Sequence, residues 1–492
     1  MARRRTGIGL IGLLGAASIA TGAAAQTTWV VDDDAPGDPG AQNPLISDPA
    51  EDGTAARPFD RIQEAIDASA DGDTIAVQPG LYLEFGSVDL KGRVVTLVGV
   101  GGASVTTIDM QNWNDNAMLC VTGEGADTVI DGFTLRNGAA NGPAPGERGG
   151  GLYCNLSSPT VRNCIFEFNG AEIGGAVYAN GGAPVFENCR FDSNTATAGG
   201  GGGALYLNNT NASFADCVFD GNLATGGAGG GVTTVGSGTA FTGCEFIGNE
   251  ASGAGGAVSV SGSGGGALLF ERCHFTGNTA SGVGGTIVVN PIGSRIMLVQ
   301  NSVLNSNTGL QGGALQIDGG QVTVRNSTLY GNMTMNGSAS AIRRSAGSAT
   351  VQNSIVRAAG ATGTLLSGSI LISHSNIEGG GAGTGNIDAD PMFVDAIGGD
   401  FALTAGSACI DAGNSTVIAN DVEIDFAGAA RVVNDPGALA TGVGVFGYFV
   451  DMGAHEWQAP AAPSGCPGDL TGDGFVNGAD LGLLLGAWGG CP

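Results

Sequence analysis

The sequence is poor in positive charge. Its 492 residues include one lysine, Lys91, among 18 basic residues, against 45 acidic residues, for a formal net charge of −27. Proteins that bind nucleic acid neutralise its phosphates with clustered Lys and Arg, so no nucleic acid is expected as a partner. The acidity suits solubility and divalent cations, although solvation of a large surface explains it more simply.

Long apolar runs are also missing. Beyond the N-terminus, Asn, Asp or Gly interrupts every run before it nears the roughly 20 apolar residues of a membrane helix. Residues 1–25 combine Arg3, Arg4 and Arg5 with a short apolar stretch and a small-residue site at Ala23-Ala24-Ala25. This pattern predicts a signal peptide, and hence a secreted, extracellular or cell-surface protein without a membrane span in the mature chain. A retained signal anchor is the alternative.

Helical periodicity is scarce, whereas glycine is abundant, with 91 residues. Collagen would need a strict Gly triplet, which the sequence does not have. Disorder would need few apolar residues, but these make up 42% of the chain. Glycine is therefore expected at turns, where a positive φ has no steric cost.

A repeat of 25 to 29 residues runs through the middle of the chain. One copy is Phe186-Glu-Asn-Cys-Arg-Phe-Asp-Ser-Asn194. Its cysteine column lies at Cys164, Cys189, Cys217, Cys244 and Cys273, and serine continues it at Ser302, Ser327 and Ser354. A second column reads Gly-Gly-small, as in Gly174-Gly175-Ala176. Apolar or small residues alternate within each copy, which indicates short strands.

Stacked parallel strands wound into a coil bury such units without helices, so the repeat predicts an all-β, parallel β-helix solenoid. Equivalent residues should then stack about 4.8 Å apart. We expect an internal aromatic stack of Phe166, Phe191, Phe219, Phe246 and Phe275. We also expect an asparagine ladder of Asn169, Asn194, Asn222, Asn249, Asn278, Asn307 and Asn332. The exchange of Cys for Ser favours buried free thiols over disulfides.

The Phe-x-x-Asn and Gly-Gly-Ala columns between about residues 160 and 335 resemble the repeats of polymorphic outer-membrane proteins, which form parallel β-helices in adhesin-like surface proteins. Pro58–Ser69 has helical spacing before a strand, which resembles the N-terminal cap of pectin-lyase-like, right-handed β-helix proteins. The segments ending in Asp395, Gly413 and Glu456 resemble the closing segment of secreted β-helix proteins. Asp388, Asp390 and Asp411 there are interpreted as turn and cap residues, with cation binding as the alternative.

These features predict six segments. They are a signal peptide (1–25), an N-terminal cap with the first coils (26–115), the β-helix repeats (116–400), a closing segment (401–457), a linker (458–465) and a small C-terminal module (466–492).

The C-terminal module carries the most specific chemical motif. Calcium loops place oxygen ligands at positions 1, 3, 5, 7, 9 and 12, with glycine at position 6. Counted from the first ligand, with Gly474 at position 6, the predicted Ca²⁺ ligands are Asp469, Thr471, Asp473, the carbonyl of Phe475, Asn477 and Asp480. An Asp at position 12 followed by Leu481 and Leu484 resembles a dockerin repeat, although Thr471 stands where that family usually has Asn.

A dockerin-like module implies a cohesin-like protein as a partner, although a full dockerin has two such repeats and this chain has one. Cys466 and Cys491 bracket the module and are predicted to form a disulfide. That bond would close a loop of the chain and so stabilise the folded module by about 3 kcal/mol.

Three functions remain open from the sequence. The first is a non-catalytic secreted or cell-surface scaffold that binds a polysaccharide or cell-surface glycan. The second is a polysaccharide lyase or glycoside hydrolase, which the pectin-lyase-like and dockerin-like resemblances imply. The third is a structural component of the cell envelope. No column of the repeat offers a persistent pair of acids beside a base, as such catalysis would need. Arg325, Arg343, Arg344 and Arg357 are expected to be solvated.

Overall fold

The computed structural model describes residues 26–35, 49–84, 86–113, 115–142, 146–264, 266–293, 295–337, 340–418, 424–435, 437–458, 471 and 475–486. Within them the chain is a parallel β-helix, as predicted. Each regular coil contributes four short strands, and each strand pairs in parallel with its equivalent in the next coil. The four columns of strands are named ladders 1 to 4, in the order in which the chain passes through them.

Ladders 1 and 4 belong to one sheet of 22 strands within the described residues. Ladder 1 comprises Thr28–Val31, Thr74–Val77, Thr96–Gly99, Val129–Asp131, Thr160–Arg162, Val185–Glu187, Ser213–Ala215, Ala240–Thr242, Leu268–Glu271, Ile296–Gln300 and Leu371–Ser373. Ladder 4 comprises Val88–Asp89, Met118–Cys120, Leu152–Asn155, Val177–Asn180, Leu205–Asn208, Val232–Val235, Val258–Ser263, Ile287–Ile292 and Leu366–Ser367. Two long strands, Leu315–Arg325 and Ile342–Gln352, run from ladder 4 into ladder 1.

Ladders 2 and 3 form separate sheets of 12 and 8 strands in the described part of the chain. Ladder 2 comprises Gly80–Leu83, Thr106–Asp109, Thr134–Arg136, Ile165–Glu167, Arg190–Asp192, Val218–Asp220, Glu245–Ile247, His274–Thr276, Val303–Asn305, Thr328–Tyr330, Ile355–Arg357 and Asn376–Ile377. Ladder 3 comprises Ala139–Ala140, Gly170–Ala171, Thr195–Ala196, Leu223–Ala224, Glu250–Ala251, Thr279–Ala280, Thr308–Gly309 and Met333–Thr334.

The predicted aromatic stack is confirmed. Neighbouring rings from Phe166 to Phe275 lie 5.0, 4.8, 4.7 and 4.5 Å apart, centroid to centroid. A second stack that the prediction did not include runs beside it through Phe186, Phe214, Phe241 and Phe270. Rings of the two stacks meet edge to face, an arrangement that aromatic quadrupoles favour.

The predicted asparagine ladder is also confirmed, and all seven of its members are buried. At each step the side-chain amide donates to the Oδ1 of the next asparagine, for example from Asn222 to Asn249 at 2.9 Å. The backbone N–H of Asn222 donates to the same oxygen at 3.1 Å, and Nδ2 also donates to the carbonyl of Phe191. Each amide therefore fastens three coils together.

The Gly-Gly column has two separate causes. The first glycine of a pair lies in the left-handed region, as at Gly202, where φ is +72°. At the second glycine the next coil leaves no space for a side chain, since a Cβ on Gly203 would lie 2.1 Å from the carbonyl oxygen of Gly230. The small residue that follows, such as Ala204, is fully buried.

The two ends of the solenoid carry non-repeating elements. At the N-terminal end the helix Ile62–Ala68 buries Ile62, Ala65 and Ile66, as the helical spacing predicts. At the other end, the antiparallel strands Phe393–Asp395 and Asp400–Leu403 and the 3₁₀ turn Ser415–Val417 cover the outward side of the last coils of ladder 2. The described residues between 387 and 457 are called the closing segment from here on, since this packing includes residues before position 401. The C-terminal helix spans Gly478–Gly486.

The closing segment is held by a buried charged cluster. Arg431 is fully buried and donates to the carbonyls of Asp451, Gly453 and Ala454. The Glu456 carboxylate accepts the backbone N–H groups of Val433 and Asp451. These contacts join both halves of the closing segment.

Protein groups bind the three acidic residues for which cation binding was the alternative prediction. Asp388 pairs with Arg357, Asp390 accepts the N–H of Met392, and Asp411 accepts the N–H of Asp435. In the described part of the chain, no three His, Cys, Asp or Glu side chains are grouped so as to hold a metal ion.

Candidate functional site

The outward side of ladder 2 carries a continuous line of aligned side chains. Strand register places one residue of each coil in this line, which is named the ladder 2 column. Its members are Asp109, Arg136, Glu167, Asp192, Asp220, Ile247, Thr276, Asn305, Tyr330 and Arg357. At about 4.8 Å per coil the column extends over roughly 45 Å.

Opposite charges alternate at the N-terminal end of the column. Arg136 lies between Asp109 and Glu167, with nitrogen–oxygen distances of 2.8 and 3.7 Å. Burial alone would raise the pKa of Asp109. Hydrogen bonds from Asn137, Gln111 and Arg136 outweigh that effect and hold the pKa below its usual value. This end therefore presents charged groups that are fixed in place and partly exposed.

The next two coils place two acids of the column beside a base at one point, although no column repeats such a pair. Arg190 Nη2 lies 3.2 Å from Asp192 Oδ2 and 2.6 Å from Asp220 Oδ2. Burial lowers the pKa of Arg190, but the hydrogen bonds to Asp220 and Asp192 raise it above its usual value. One copy of the repeat contains Arg190 and Asp192, and the next copy contributes Asp220. The trio is therefore complete only when the two coils are stacked.

An exposed aromatic ring borders the charged end of the column. Phe168 follows Glu167 directly, has a φ of +55° and is 59% exposed. Most other coils have Gly, Ser or Ala at this turn position, as at Ser193 and Gly221. A bulky residue with a positive φ is a steric outlier, and such outliers concentrate at functional sites.

The column ends in a cleft of about 420 Å³ between the last coils and the closing segment. Tyr330 and Arg357 form one side, and Asp390, Met392 and Phe393 of the closing segment form another. The expectation that Arg357 is solvated is wrong, since its side chain is only 15% exposed and lies 3.0 Å from Asp388. The cleft is not visible in the sequence, because Tyr330 and Arg357 lie more than 30 residues before the closing-segment residues that complete it.

Arg325 is likewise held rather than solvated. Its guanidinium donates to the carbonyl of Val417 and, at 2.6 Å, to the side chain of Gln300. The closing segment is therefore bound to the outward side of the last coils by charged as well as apolar contacts.

Only part of the predicted calcium loop lies within the described residues. Asp469, Asp473 and the predicted disulfide partners Cys466 and Cys491 lie outside them, as does the predicted signal peptide 1–25. Thr471, Phe475, Asn477 and Asp480 are described.

The described part of the loop folds onto Asp480. This carboxylate is 2% exposed; its Oδ1 accepts the backbone N–H and the hydroxyl of Thr471, at 2.9 and 3.0 Å. Its Oδ2 accepts the N–H of Asn477 at 2.8 Å. Loop positions 3, 9 and 12 therefore lie together, with the Asn477 side chain accepting the N–H of Ala479. The hydroxyl, amide and carboxylate oxygens of these residues fit the chemistry of a Ca²⁺ site.

Comparison with known families identifies the fold. The family model described as right handed beta helix region matches residues 76–219 and 150–329, which together span more than half of the chain. The chain belongs to this right-handed β-helix family. The predicted handedness is thereby confirmed, whereas the resemblance to outer-membrane protein repeats and to dockerin stays a prediction.

Solved structures with a similar fold include three enzymes or ligand complexes. "Crystal structure of pectate lyase Pel9A" has 15% identity and a TM-score of 0.38, covering 88% of this chain and 98% of that chain. "Rhamnogalacturonan lyase" has 11% identity and a TM-score of 0.30, covering 75% and 91%. "The complex structure of XylC with xylose" has 11% identity and a TM-score of 0.32, covering 75% and 87%.

The identities and TM-scores of these likenesses are too low to carry an argument about activity. No curated protein matches the sequence significantly. Among the described residues no helix is long and apolar enough to cross a membrane.

Proposed function

We propose that this protein is a non-catalytic scaffold of the cell exterior that binds a glycan chain along the ladder 2 column. The exposed ring of Phe168 beside the fixed charges of Arg136 and Glu167 carries this proposal. A sugar chain is long, rich in hydroxyl groups and apolar on its ring faces. An extended line of donors and acceptors with an aromatic ring at its edge complements those properties.

The alternation of charge favours a glycan over a protein as the bound chain. Arg136 and Arg190 are each held by two carboxylates, so both retain N–H groups for sugar hydroxyls in a defined orientation. These side chains are between about one quarter and two fifths exposed, except for Asp109, which is more deeply buried. Little side-chain entropy is lost when a ligand binds to groups that are already ordered.

Polysaccharide cleavage is the second candidate, and the proximity of Asp192 and Asp220 is the observation that favours it. Glycoside hydrolases place two carboxylates about 5 to 9.5 Å apart around the bond that breaks. Here the Arg190 guanidinium lies between the two carboxylates and bonds to both. The space that a glycosidic oxygen would need is therefore filled, which favours binding without cleavage.

Retention and cleavage can be measured together. The full-length protein would be incubated with neutral and acidic polysaccharides, with and without Ca²⁺, and both bound protein and released sugar would be quantified. We expect retention without new reducing ends or unsaturated sugars. Product formation that Asp192→Asn abolishes would establish an enzyme instead.

The chain offers a matched control for the aromatic contact. Leu156 is also an exposed apolar residue with a φ of +55°, but it follows ladder 4 and is remote from the column. We expect Phe168→Ala to weaken retention about fivefold and Leu156→Ala to leave it unchanged, since stacking on an aromatic ring is worth about 1 kcal/mol. Equal effects of the two substitutions would contradict the proposal that the glycan binds along the ladder 2 column.

The C-terminal module is proposed to bind one Ca²⁺ through Asp469, Thr471, Asp473, the carbonyl of Phe475, Asn477 and Asp480. The convergence of Thr471 and Asn477 on the buried Asp480 carboxylate supports this proposal. The proposed cysteine bridge 466–491 and signal peptide 1–25 agree with an exported, oxidising setting. A cohesin-like partner is not required by this role.

Calorimetric titration of the full-length protein with CaCl₂ tests the loop. We expect Asp480→Asn to weaken binding at least tenfold, because it removes one of the charged ligands. Asp395→Asn is the control, since this exposed aspartate caps a turn by accepting the N–H of Gly398. Binding that survives Asp480→Asn, or that Asp395→Asn removes equally, would contradict the loop assignment.

A further inference from the structure

The cleft at the C-terminal end of the ladder 2 column lies between the last coils and the closing segment. Tyr330 and Arg357 are adjacent members of the column, paired in register. Met392 and Phe393 of the closing segment line the cleft with them. Because Asn305, the column member before Tyr330, is buried, a bound chain would enter the cleft past the exposed Ser306 at the turn that follows.

The aromatic side of the cleft is rigidly supported. The Tyr330 ring lies 6.0 Å from Phe393 and 5.2 Å from Phe401, and the two phenylalanine rings meet edge to face at 5.3 Å. Phe401 is buried. At the rim, Met392 has a φ of +54° and is 42% exposed, a second bulky residue with positive φ beside this face.

The charges around the cleft are predominantly negative. Glu378 and Asp390 line it, and Asp388 bonds to the one cationic group, Arg357, at 3.0 Å. Arg357 also lies 3.7 Å from Glu378 and donates to the side chain of Asn376. The guanidinium is thus already engaged, and the three carboxylates outnumber it. A ligand carboxylate entering this cleft would be repelled, whereas sugar hydroxyls would find acceptors.

The volume of about 420 Å³ lies within the range of small-molecule sites, about 300–1,000 Å³. From these observations we infer that the cleft holds an uncharged sugar residue at the end of the glycan chain that occupies the ladder 2 column. The inference rests on the proposed glycan binding and adds one property to it, namely that the sugar residue at the end of the bound chain is neutral rather than a uronic acid.

A matched pair of ligands tests the charge preference. Galactose oligosaccharides and galacturonic acid oligosaccharides of equal length differ at C6, where the second carries a carboxylate. Calorimetric titration of the full-length protein should show tighter binding of the neutral chain. Asp390→Asn and Glu378→Gln should each reduce the discrimination about fourfold, as Coulomb's law gives for one charge at about 5 Å in water.

Asp400→Asn is the matched control for Asp390→Asn. Both aspartates are exposed, both belong to the closing segment, and each accepts the backbone N–H two residues further on. Only Asp390 lines the cleft. We expect the control to leave the discrimination unchanged.

The outcomes separate this inference from the proposed function. One outcome is that Phe168→Ala weakens retention while Asp390→Asn and Glu378→Gln behave like Asp400→Asn. Glycan binding along the ladder 2 column is then supported, and binding of the end of the chain in the cleft is overturned. Binding of the uronic acid chain as tightly as the neutral chain also overturns it. If the wild-type protein retains no glycan of either kind, both the site and the proposed function fall.

Discussion

The cysteine half and the serine half of the solenoid differ at one interior position of each coil. In the first half, Cys217 places its sulfur 3.3 Å from the carbonyl of Ala215 in its own coil. In the second half, Ser327 donates to the carbonyl of Arg325 at 2.8 Å and also accepts the N–H of Ser302 from the preceding coil at 3.2 Å. Both residues therefore bond along the axis of the solenoid. Cys217 does so through a long contact of 3.6 Å from its sulfur to the carbonyl of Phe186, whereas Ser327 accepts a shorter bond from a backbone N–H.

The surroundings of this position change with it. Stacked rings such as Phe214 and Phe219 lie near the cysteines, whereas Val324 and Leu329 take their places near the serines. The repeat thus preserves the backbone path of each coil but not the chemistry of its interior. Large apolar side chains stabilise one half, and shorter hydrogen bonds stabilise the other. The asparagine ladder is common to both.

The largest expected effect tests that common element. Asn222→Ala and Asn307→Ala each leave a buried donor of the preceding coil without its acceptor and a buried acceptor of the next coil without its donor. Each should therefore lower the free energy of unfolding by about 4 kcal/mol. Urea unfolding followed by circular dichroism measures both. The exposed Asn211→Ala is the control, and its effect should be below about 1 kcal/mol. Clearly unequal losses in the two halves would break the comparison.

A smaller difference is expected at the position that changes. Ser327→Ala leaves the buried N–H of Ser302 unpaired and should cost about 2 kcal/mol. Cys217→Ala removes one sulfur from an apolar site and should cost about 1 kcal/mol. The same urea unfolding experiment compares them. A cost of Cys217→Ala at or above that of Ser327→Ala would show that the two halves do not differ as described.

Thiol chemistry sharpens the comparison further. The column thiols Cys164, Cys189, Cys217, Cys244 and Cys273 are free and buried. Burial raises the pKa of the Cys189 and Cys244 thiols well above the usual value, whereas hydrogen bonds from these two neighbours lower the pKa of the buried Cys217 between them. Alkylation in the native state should be at least about a hundredfold slower than after unfolding, because the reagent needs an exposed thiolate. Mass spectrometry of unreduced peptides checks this, and a Cys164–Cys189 disulfide would contradict it.

The smallest expected effect concerns pH. Because the pKa of Asp109 is held below its usual value in the folded state, its ionised form stabilises the fold above the unfolded-state pKa, about 3.9. That contribution is lost as the pH falls through the lowered pKa. Asp109→Asn should cost less than about 1 kcal/mol at pH 7 and nothing near pH 2, as measured by urea unfolding. A cost that rises on acidification would have the wrong sign.

The interior of the coils could be predicted because it repeats. The spacing of Phe219 and Asn222 from their equivalents fixes which side chains stack, and a parallel coil is the arrangement that buries them. Phe168 was visible in the sequence as the large residue in a Gly, Ser and Ala turn column. The repeat pattern does not mark it, because that pattern consists of the residues that the copies share.

The Arg190 trio was within reach of the same alignment, because Asp192 and Asp220 occupy equivalent positions of neighbouring copies. The cleft could not be predicted in this way, because it depends on where residues 387–403 return to the solenoid. The closing segment has no internal repeat, so its contacts with Tyr330 and Arg357 follow from packing alone. The same contacts explain why Arg357 is largely buried rather than solvated.

Hydroxyl-radical footprinting with and without a neutral oligosaccharide tests the central claim most directly. The account predicts protection of Phe168, near the N-terminal end of the ladder 2 column, and of Met392, at the cleft. It predicts no change at Leu156 or at Phe446, which is 97% exposed on a turn of the closing segment and outside the cleft. Protection of Leu156 or Phe446, with Phe168 and Met392 unchanged, would place the ligand elsewhere and contradict the account.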